Sequence, residues 1–364
     1  MQFIDLRAQY RQIESDVNEK IHAVLKHGQY INGPEVRVLE DRLADFVGTP
    51  YCIGTASGTD ALLIAMMALG IKPGDEVITS PFTFIETAET ISLLGAVPVF
   101  VDIEPDTCNI NPHLIEAAIS QKTKAILAAS LDGQCADFDA INAIADTHGL
   151  PVIEDAAQSF GATFNGKKSC NLTTIGCTSF CPSKPLGCDG DGGACFTQDE
   201  ALATRMREIR EHGRDRRYHP PGLGINGRLD SLQAAILLAK MTLFPDEIEK
   251  RQAIGKKYTK ALTDERITAP VIRPDNTSVF AQFTIQIKNR DALQLHLEAK
   301  GIPTAIPCPI PLHRQPVFYQ PEAHLPVSDT VATRVLSLPM HPYLADAQLE
   351  RITTAIKDAL ERPQ

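Results

Sequence analysis

The sequence predicts an α/β protein with a mostly parallel central sheet in a large domain and a smaller α+β domain after it. Three observations carry this. From about residue 50 to 160, short apolar runs alternate with amphipathic segments of roughly 8–13 residues, the rhythm of βαβ crossovers. Gly74-Asp75 and Gly95-Ala96 break the chain beside successive runs. Beyond Gly193 the alternation gives way to long helical patterns and one alternating strand. The length of 364 residues suits two domains at about 150 residues each, and we divide the chain into 1–245 and 246–364.

Taken in order, Tyr51–Thr55 is a strand and Gly58–Leu69 a helix, followed by strand Glu76–Thr79 and helix Ile85–Leu94. Strand Val97–Val101, a helical stretch over Pro112–Ser120, strand Ala125–Ala129, helix Phe138–Thr147 and strand Pro151–Glu154 continue the pattern. Helices are expected over Glu200–Glu211, Leu229–Leu243 and Asp246–Leu262. Val279–Ile287 alternates as a strand, Ala292–Lys300 and Ala347–Leu360 read as helices, and Pro307, Pro309 and Pro311 stiffen an extended segment.

Hydrophobic residues make up 43% of the chain, enough for a substantial core, and charged residues 22%. A formal charge of −10 argues against nucleic acid as partner, because the phosphate backbone would be repelled. No apolar run approaches the ~18–20 residues of a membrane span, and Met1–Arg7 has no secretory pattern, so a cytoplasmic protein is expected. Nine cysteines include a cluster at Cys170, Cys177, Cys181, Cys188 and Cys195, without CxxC spacing. Reduced thiols acting as small apolar fillers explain them, and no metal is expected; their density keeps a redox or metal site open as the alternative.

Three constellations could carry chemistry. Thr55-Ala-Ser-Gly-Thr-Asp60 sits where a strand meets a helix, so Gly58 and Thr59 offer an anion cradle, although a plain N-cap explains the same residues. Val152-Ile-Glu-Asp-Ala-Ala-Gln158 places Asp155 at a strand's carboxyl end, facing a cationic ring nitrogen or simply capping the next helix. Lys184 lies among Pro, Gly and Cys; a lone loop lysine is ordinarily solvated, but these surroundings favour a neutral amine able to form a Schiff base. A phosphate cradle, a strand-end acid and a lysine together meet the needs of pyridoxal 5'-phosphate.

These residues belong to a longer series of ordered motifs: Gly28-Gln-Tyr-Ile-Asn-Gly-Pro34, Ser57-Gly-Thr-Asp-Ala-Leu62, Pro81-Phe-Thr-Phe84, Glu154-Asp-Ala-Ala-Gln158, Ser179-Phe-Cys-Pro-Ser-Lys184 and Gly224 to Ala235. The series resembles the DegT/StrS-type nucleotide-sugar aminotransferases, a fold type I, aspartate-aminotransferase-like branch of the pyridoxal-phosphate enzymes. The resemblance covers essentially the whole chain. It implies that Lys184 holds the cofactor and shuttles protons, and that Asp155 pairs with the ring nitrogen. It further implies that Gln158 bonds the phenolic oxygen, Phe84 stacks on the ring, and Gly58, Thr59 and Ser179 hold the phosphate. Asn226 would reach that phosphate from a second subunit, and Arg228 would meet substrate across the same interface, so a homodimer with shared sites is implied. Tyr30 and Ser183 match sugar-nucleotide positions.

Arg228-Leu-Asp230 resembles members that act on 3-oxo sugars. The implied reaction takes an amino group from L-glutamate, releasing 2-oxoglutarate, to a nucleotide sugar such as UDP-2-acetamido-2-deoxy-3-oxo-glucuronate for surface polysaccharide such as O-antigen. Another 3- or 4-keto UDP- or dTDP-sugar is the alternative, as is a catalytically silent sugar-nucleotide-binding regulator. A sugar dehydratase of the same fold would carry histidine in place of Lys184. The chain departs from the family pattern at Asp132, Cys181, Asp189 and Pro307-Cys308, all around substrate-facing loops. The stretch Arg205–His219, six arginines against three acids, is either a solvated helix face or, through Arg214, Arg216 or Arg217, a hold on a diphosphate or on the second subunit.

Overall fold

The structure, a computed structural model, describes residues 1–215, 219 and 222–361. Helices α1 (Leu6–His27) and α2 (Pro34–Val47) precede β1 (Tyr51–Thr55) and α3 (Gly58–Ala68). The βα alternation follows as β2 (Glu76–Thr79), α4 (Glu86–Leu93), β3 (Val97–Phe100), α5 (Ile115–Ala118), β4 (Thr123–Ala129), α6 (Phe138–His148) and β5 (Val152–Asp155). A short hairpin, β6 (Thr163–Phe164) and β7 (Lys167–Lys168), leads to β8 (Ile175–Ser179) and β9 (Gly193–Thr197). The chain continues through α7 (Glu200–Arg210), α8 (Ser231–Lys240), α9 (Phe244–Ala261), β10 (Phe283–Gln286), α10 (Arg290–Ala299), α11 (Pro326–Ala332), β11 (Val335–Leu338) and α12 (Asp346–Glu361).

Seven strands form one sheet in the order β1-β9-β8-β5-β4-β2-β3. All neighbours pair in parallel except at β9, which runs antiparallel to both β1 and β8. Parallel strands buried on both faces read as near-continuous apolar runs, which is why β2, β4 and β5 stand out in the sequence. The α3 face bearing Leu62, Ile64 and Ala65 lies against β8 and β9, within a core that continues through Val77, Leu127 and Ile153. A second core on α2 and α8 contains Leu39, Leu43, Phe160, Phe180 and Leu237. A third, around Tyr258, Phe283, Leu297, Leu338 and Ile352, joins α9, α10 and α12 to the antiparallel pair β10–β11.

Several expectations are corrected. The strand over Val279–Ile287 is only Phe283–Gln286, because Phe280 takes φ +43 and its backbone leaves the extended region. The helix expected from Leu229 starts at Ser231, since residues 225–230 run extended, with bridges at Arg228–Thr55 and Asp230–Ile31. Helix α9 begins two residues before the expected start, with Pro245 in its first turn. Seven of the nine cysteines are buried and all are free thiols, packed as small apolar groups; burial raises the pKa of Cys177 and Cys170 well above the usual thiol value. No helix among the described residues is long and apolar enough to cross a membrane.

Candidate active site

The carboxyl ends of the parallel strands gather the chemical side chains, as an open α/β sheet favours. Asp155 ends β5 and is buried. Its Oδ2 accepts from the Thr87 hydroxyl at 3.0 Å and its Oδ1 from the Ala157 N–H at 3.1 Å. Burial raises its pKa; those two hydrogen bonds and the positive charge of Lys184 act in the other direction. A buried carboxylate so placed favours a cationic partner. Its neighbour Glu154 plays a different part. That side chain turns to the opposite environment, accepting from Ser130, Ser169 and the Cys170 N–H at 2.7–3.0 Å, and burial pushes its pKa up to about 7.

Helix α3 starts against Ser179, the last residue of β8. Ser57 caps it by accepting from the Asp60 N–H at 3.0 Å, while the N–H groups of Gly58 and Thr59 belong to the first turn, which has no partner within the helix. The approach is close enough to require glycine: a Cβ on Gly58 would stand 2.6 Å from the Ser179 Cβ, and one on Gly193 would stand 2.4 Å from the Ser57 carbonyl oxygen. The result is a rigid cradle of two amides and hydroxyls, suited to a phosphate. The Thr59 hydroxyl donates to Glu86 Oε2 at 3.3 Å. Burial and the charge of Asp155 raise the pKa of Glu86 to about 7, against the opposing effects of Lys184 and Thr59.

Lys184 follows β8 in a tight loop, its own N–H bonded to the Cys181 carbonyl at 2.9 Å. Its charge acts on both Asp155 and Glu86, so lysine, strand-end acid and cradle share one site. Phe84 stands at the start of the α4 turn with 59% of its surface exposed, an aromatic face free to stack. Gln158 Oε1 accepts from the Asp132 N–H at 2.7 Å, which leaves its amide nitrogen to donate elsewhere. Asp132 holds φ +55, and burial pushes its pKa up to about 6. Ser183 is exposed beside Lys184. Asp189 is taken up by Lys240, whose Nζ donates to it at 2.6 Å.

Tyr30, Asn226 and Arg228 form a separate group. Tyr30 is half-exposed, its carbonyl accepting from the Ser231 N–H at 2.9 Å, and Asn226 is exposed. The hydrogen bonds of Arg228 run to Glu211 rather than to Lys184 or Asp155. Of the basic stretch, Arg210 is paired with Glu40 and Arg214 with Glu211, whereas Arg216 and Arg217 lie outside the described residues. The sequence reading missed Glu86, Thr87 and Glu211. Acids in a first helical turn suit the helix dipole anyway, so Glu86 carried no distinguishing signal.

Residues 11–357 match the DegT/DnrJ/EryC1/StrS aminotransferase family. Over 356 residues, 98% of this chain and 99% of the relative, the sequence is 58% identical to the UDP-2-acetamido-2-deoxy-3-oxo-D-glucuronate aminotransferase of Pseudomonas aeruginosa. Among solved structures, Streptomyces venezuelae DesV in complex with a ketimine intermediate superposes with a TM-score of 0.97 at 38% identity, covering 100% of this chain and 99% of that one. Bacillus subtilis NtdA with bound cofactor PMP gives 0.91 at 30% identity, covering 99% and 83%.

The chain belongs to the DegT/DnrJ/EryC1/StrS aminotransferase family. It is a pyridoxal-phosphate-dependent enzyme of fold type I. The residues present fit that cofactor: the Gly58 approach leaves a cradle only glycine permits, and the buried Asp155 lacks a full counter-charge that a protonated ring nitrogen would supply.

Proposed function

We propose that this aminotransferase moves an amino group from L-glutamate to the 3-oxo group of UDP-2-acetamido-2-deoxy-3-oxo-glucuronate, in surface-polysaccharide synthesis such as that of O-antigen in the cytoplasm. The observation that carries the transamination is Lys184 acting electrostatically on buried Asp155 beside the Gly58–Ser179 cradle. The sugar follows from the 58% identity to the Pseudomonas aeruginosa enzyme, whose name states that substrate.

When bound, pyridoxal phosphate supplies an aldehyde that captures amines and a ring that accepts an electron pair. The protein does the rest. Asp155, as the carboxylate, holds the ring nitrogen protonated, and Thr87 and the Ala157 N–H hold Asp155. Gly58, Thr59 and Ser179 would hold the phosphate, Phe84 would stack on the ring, and Gln158, its amide set by the Asp132 N–H, would donate to the phenolic oxygen. Lys184 Nζ removes the α-proton of glutamate and later delivers a proton to C3 of the sugar, a general acid–base role worth about 10²–10⁴-fold. Tyr30 and Ser183 line the sugar-nucleotide path. Asn226 and Arg228 serve the neighbouring site of a homodimer, the phosphate and the substrate respectively. The separate core around Tyr258, Leu297 and Ile352 supports a division into 1–245 and 246–364, with the boundary in the first turn of α9, whose Phe244 packs in the α2–α8 core.

Lys184→Arg keeps the positive charge but cannot hold the cofactor covalently. With L-glutamate and the 3-oxo sugar supplied, 2-oxoglutarate release should fall by at least about 10²-fold. Turnover near wild type in that variant would overturn the assignment.

A further inference from the structure

The extended segment 225–230 is fastened at one carboxylate. Glu211, just beyond α7, accepts at Oε1 from Arg214 Nη2 at 2.7 Å and from Arg228 Nη1 at 2.9 Å. Its Oε2 accepts from Asn32 Nδ2 at 3.1 Å, and its backbone bridges Asn226. Three separate parts of the chain therefore meet at this side chain: the turn after α7, the segment with Asn226 and Arg228, and the loop carrying Tyr30. The 225–230 segment and the start of α8 are further held by hydrogen bonds from the Ala56 N–H to the Gly227 carbonyl and from the Ser231 N–H to the Tyr30 carbonyl, both 2.9 Å.

Charge and donor count give the cluster a direction. Two guanidinium groups share one carboxylate, so one positive charge is left over at the cluster. Arg228 Nη1 is engaged by Glu211, while Arg228 Nε is buried without a hydrogen-bond partner. An unpaired buried donor is costly, and the Arg228 side chain as a whole keeps 21% of its surface exposed, where an anionic oxygen can meet the guanidinium. Burial works against the Glu211 carboxylate, but its hydrogen bonds to Asn32 and Arg228 and the charges of Arg228 and Arg214 hold its pKa below the usual range. It stays ionised at neutral pH.

We propose that Glu211 is a positioning residue for the sugar nucleotide, holding the Arg228 guanidinium and the Tyr30–Asn32 loop in place to receive an anionic group of the substrate, phosphate or uronate carboxylate. This rests on the reading of Arg228 as a substrate residue. A long arginine side chain tethered in advance loses less freedom when it binds. Removing the tether weakens binding even though it also removes a negative charge.

The test is calorimetric binding of UDP, UDP-N-acetylglucosamine and UDP-glucuronate to the cofactor-loaded enzyme. Glu211→Gln should weaken binding about tenfold, and Glu211→Asp, which keeps the charge, should recover part of that loss. In an Arg228→Ala background Glu211→Gln should add only the smaller part carried by the Tyr30–Asn32 loop, since the tether to Arg228 is already gone. Weakening for all three ligands assigns the anion to the phosphates, and weakening for UDP-glucuronate alone assigns it to the carboxylate; both support the proposal. Wild-type or tighter binding by Glu211→Gln would show a mere competitor for Arg228 and overturn it. A full additional loss in the Arg228→Ala background overturns this proposal alone. Undiminished binding by Arg228→Ala removes the reading of Arg228 and the proposal with it.

Discussion

Adding one methyl group at Gly58 tests the phosphate cradle. Gly58 is the first residue of α3 and adopts no left-handed backbone, so Gly58→Ala perturbs only what the new Cβ meets. That Cβ would stand 2.6 Å from the Ser179 Cβ, 3.0 Å from its Oγ and 3.1 Å from its Cα. Relief to ordinary contact needs a shift of about 0.8 Å, and Ser179 is buried and paired with Gly193 across the sheet. The helix tip has to move instead. Overpacking of this kind costs about 1–3 kcal/mol, which would lower the melting temperature by several degrees. The same movement separates the α3 amides from Ser179. A hydrogen bond to a charged group is worth about 1.5–3 kcal/mol, so losing one weakens cofactor binding roughly ten- to hundredfold. Spectrophotometric titration of the cofactor-free protein with pyridoxal phosphate measures the affinity, and thermal unfolding the stability. Wild-type affinity with an altered melting temperature would refute the cradle; no change in either would refute the contact.

Two further outcomes follow from the same site. Glu86, its pKa pushed up to about 7 by burial and by Asp155, is neutral below pH 7 and gains a negative charge beside Thr59 above it. Repulsion of the cofactor phosphate then makes affinity fall as pH rises through about 7. Glu86→Gln should remove that pH dependence, and an unchanged titration profile would contradict the placement of Glu86. Thr87→Val deletes the 3.0 Å hydrogen bond to buried Asp155, so the neutral acid is favoured and the ring nitrogen loses its counter-charge. Turnover number should fall about tenfold or more with unchanged KM for the sugar nucleotide, read from steady-state kinetics.

The alternation between residues 50 and 160 revealed β2, β4 and β5 because interior parallel strands need apolar side chains on both faces, and the edge strands β1 and β3 were legible from the same alternation with helices. The same logic hid β8 and β9. Their sequences, Ile-Gly-Cys-Thr-Ser and Gly-Ala-Cys-Phe-Thr, are full of small residues because neighbouring chain comes very close: a Cβ on Gly176 would lie 2.4 Å from the Cys170 Cα. They read as loop. Helix α1 escaped notice because it is polar for most of its 22 residues and buries few side chains, chiefly Ile13, Val17 and Val24. At the site, Lys184, Asp155 and the Gly58 turn were legible as residue types at strand ends. Glu86, Thr87 and Glu211 were not, since each acts through a side chain distant in sequence: Thr59, Asp155, and Arg228 with Asn32. Side-chain contacts of that kind exist only once the chain has folded.

The absorption spectrum of the purified, cofactor-supplemented protein, recorded before and after L-glutamate, tests the central claim most directly. A Lys184-held cofactor gives the protein visible absorption. Glutamate should shift that absorption into the near-ultraviolet, with one 2-oxoglutarate released per subunit and the change absent from Lys184→Ala. A protein that stays colourless with added pyridoxal phosphate, and releases no 2-oxoglutarate, would contradict the assignment of Lys184 and leave the fold as a sugar-nucleotide binder without catalysis.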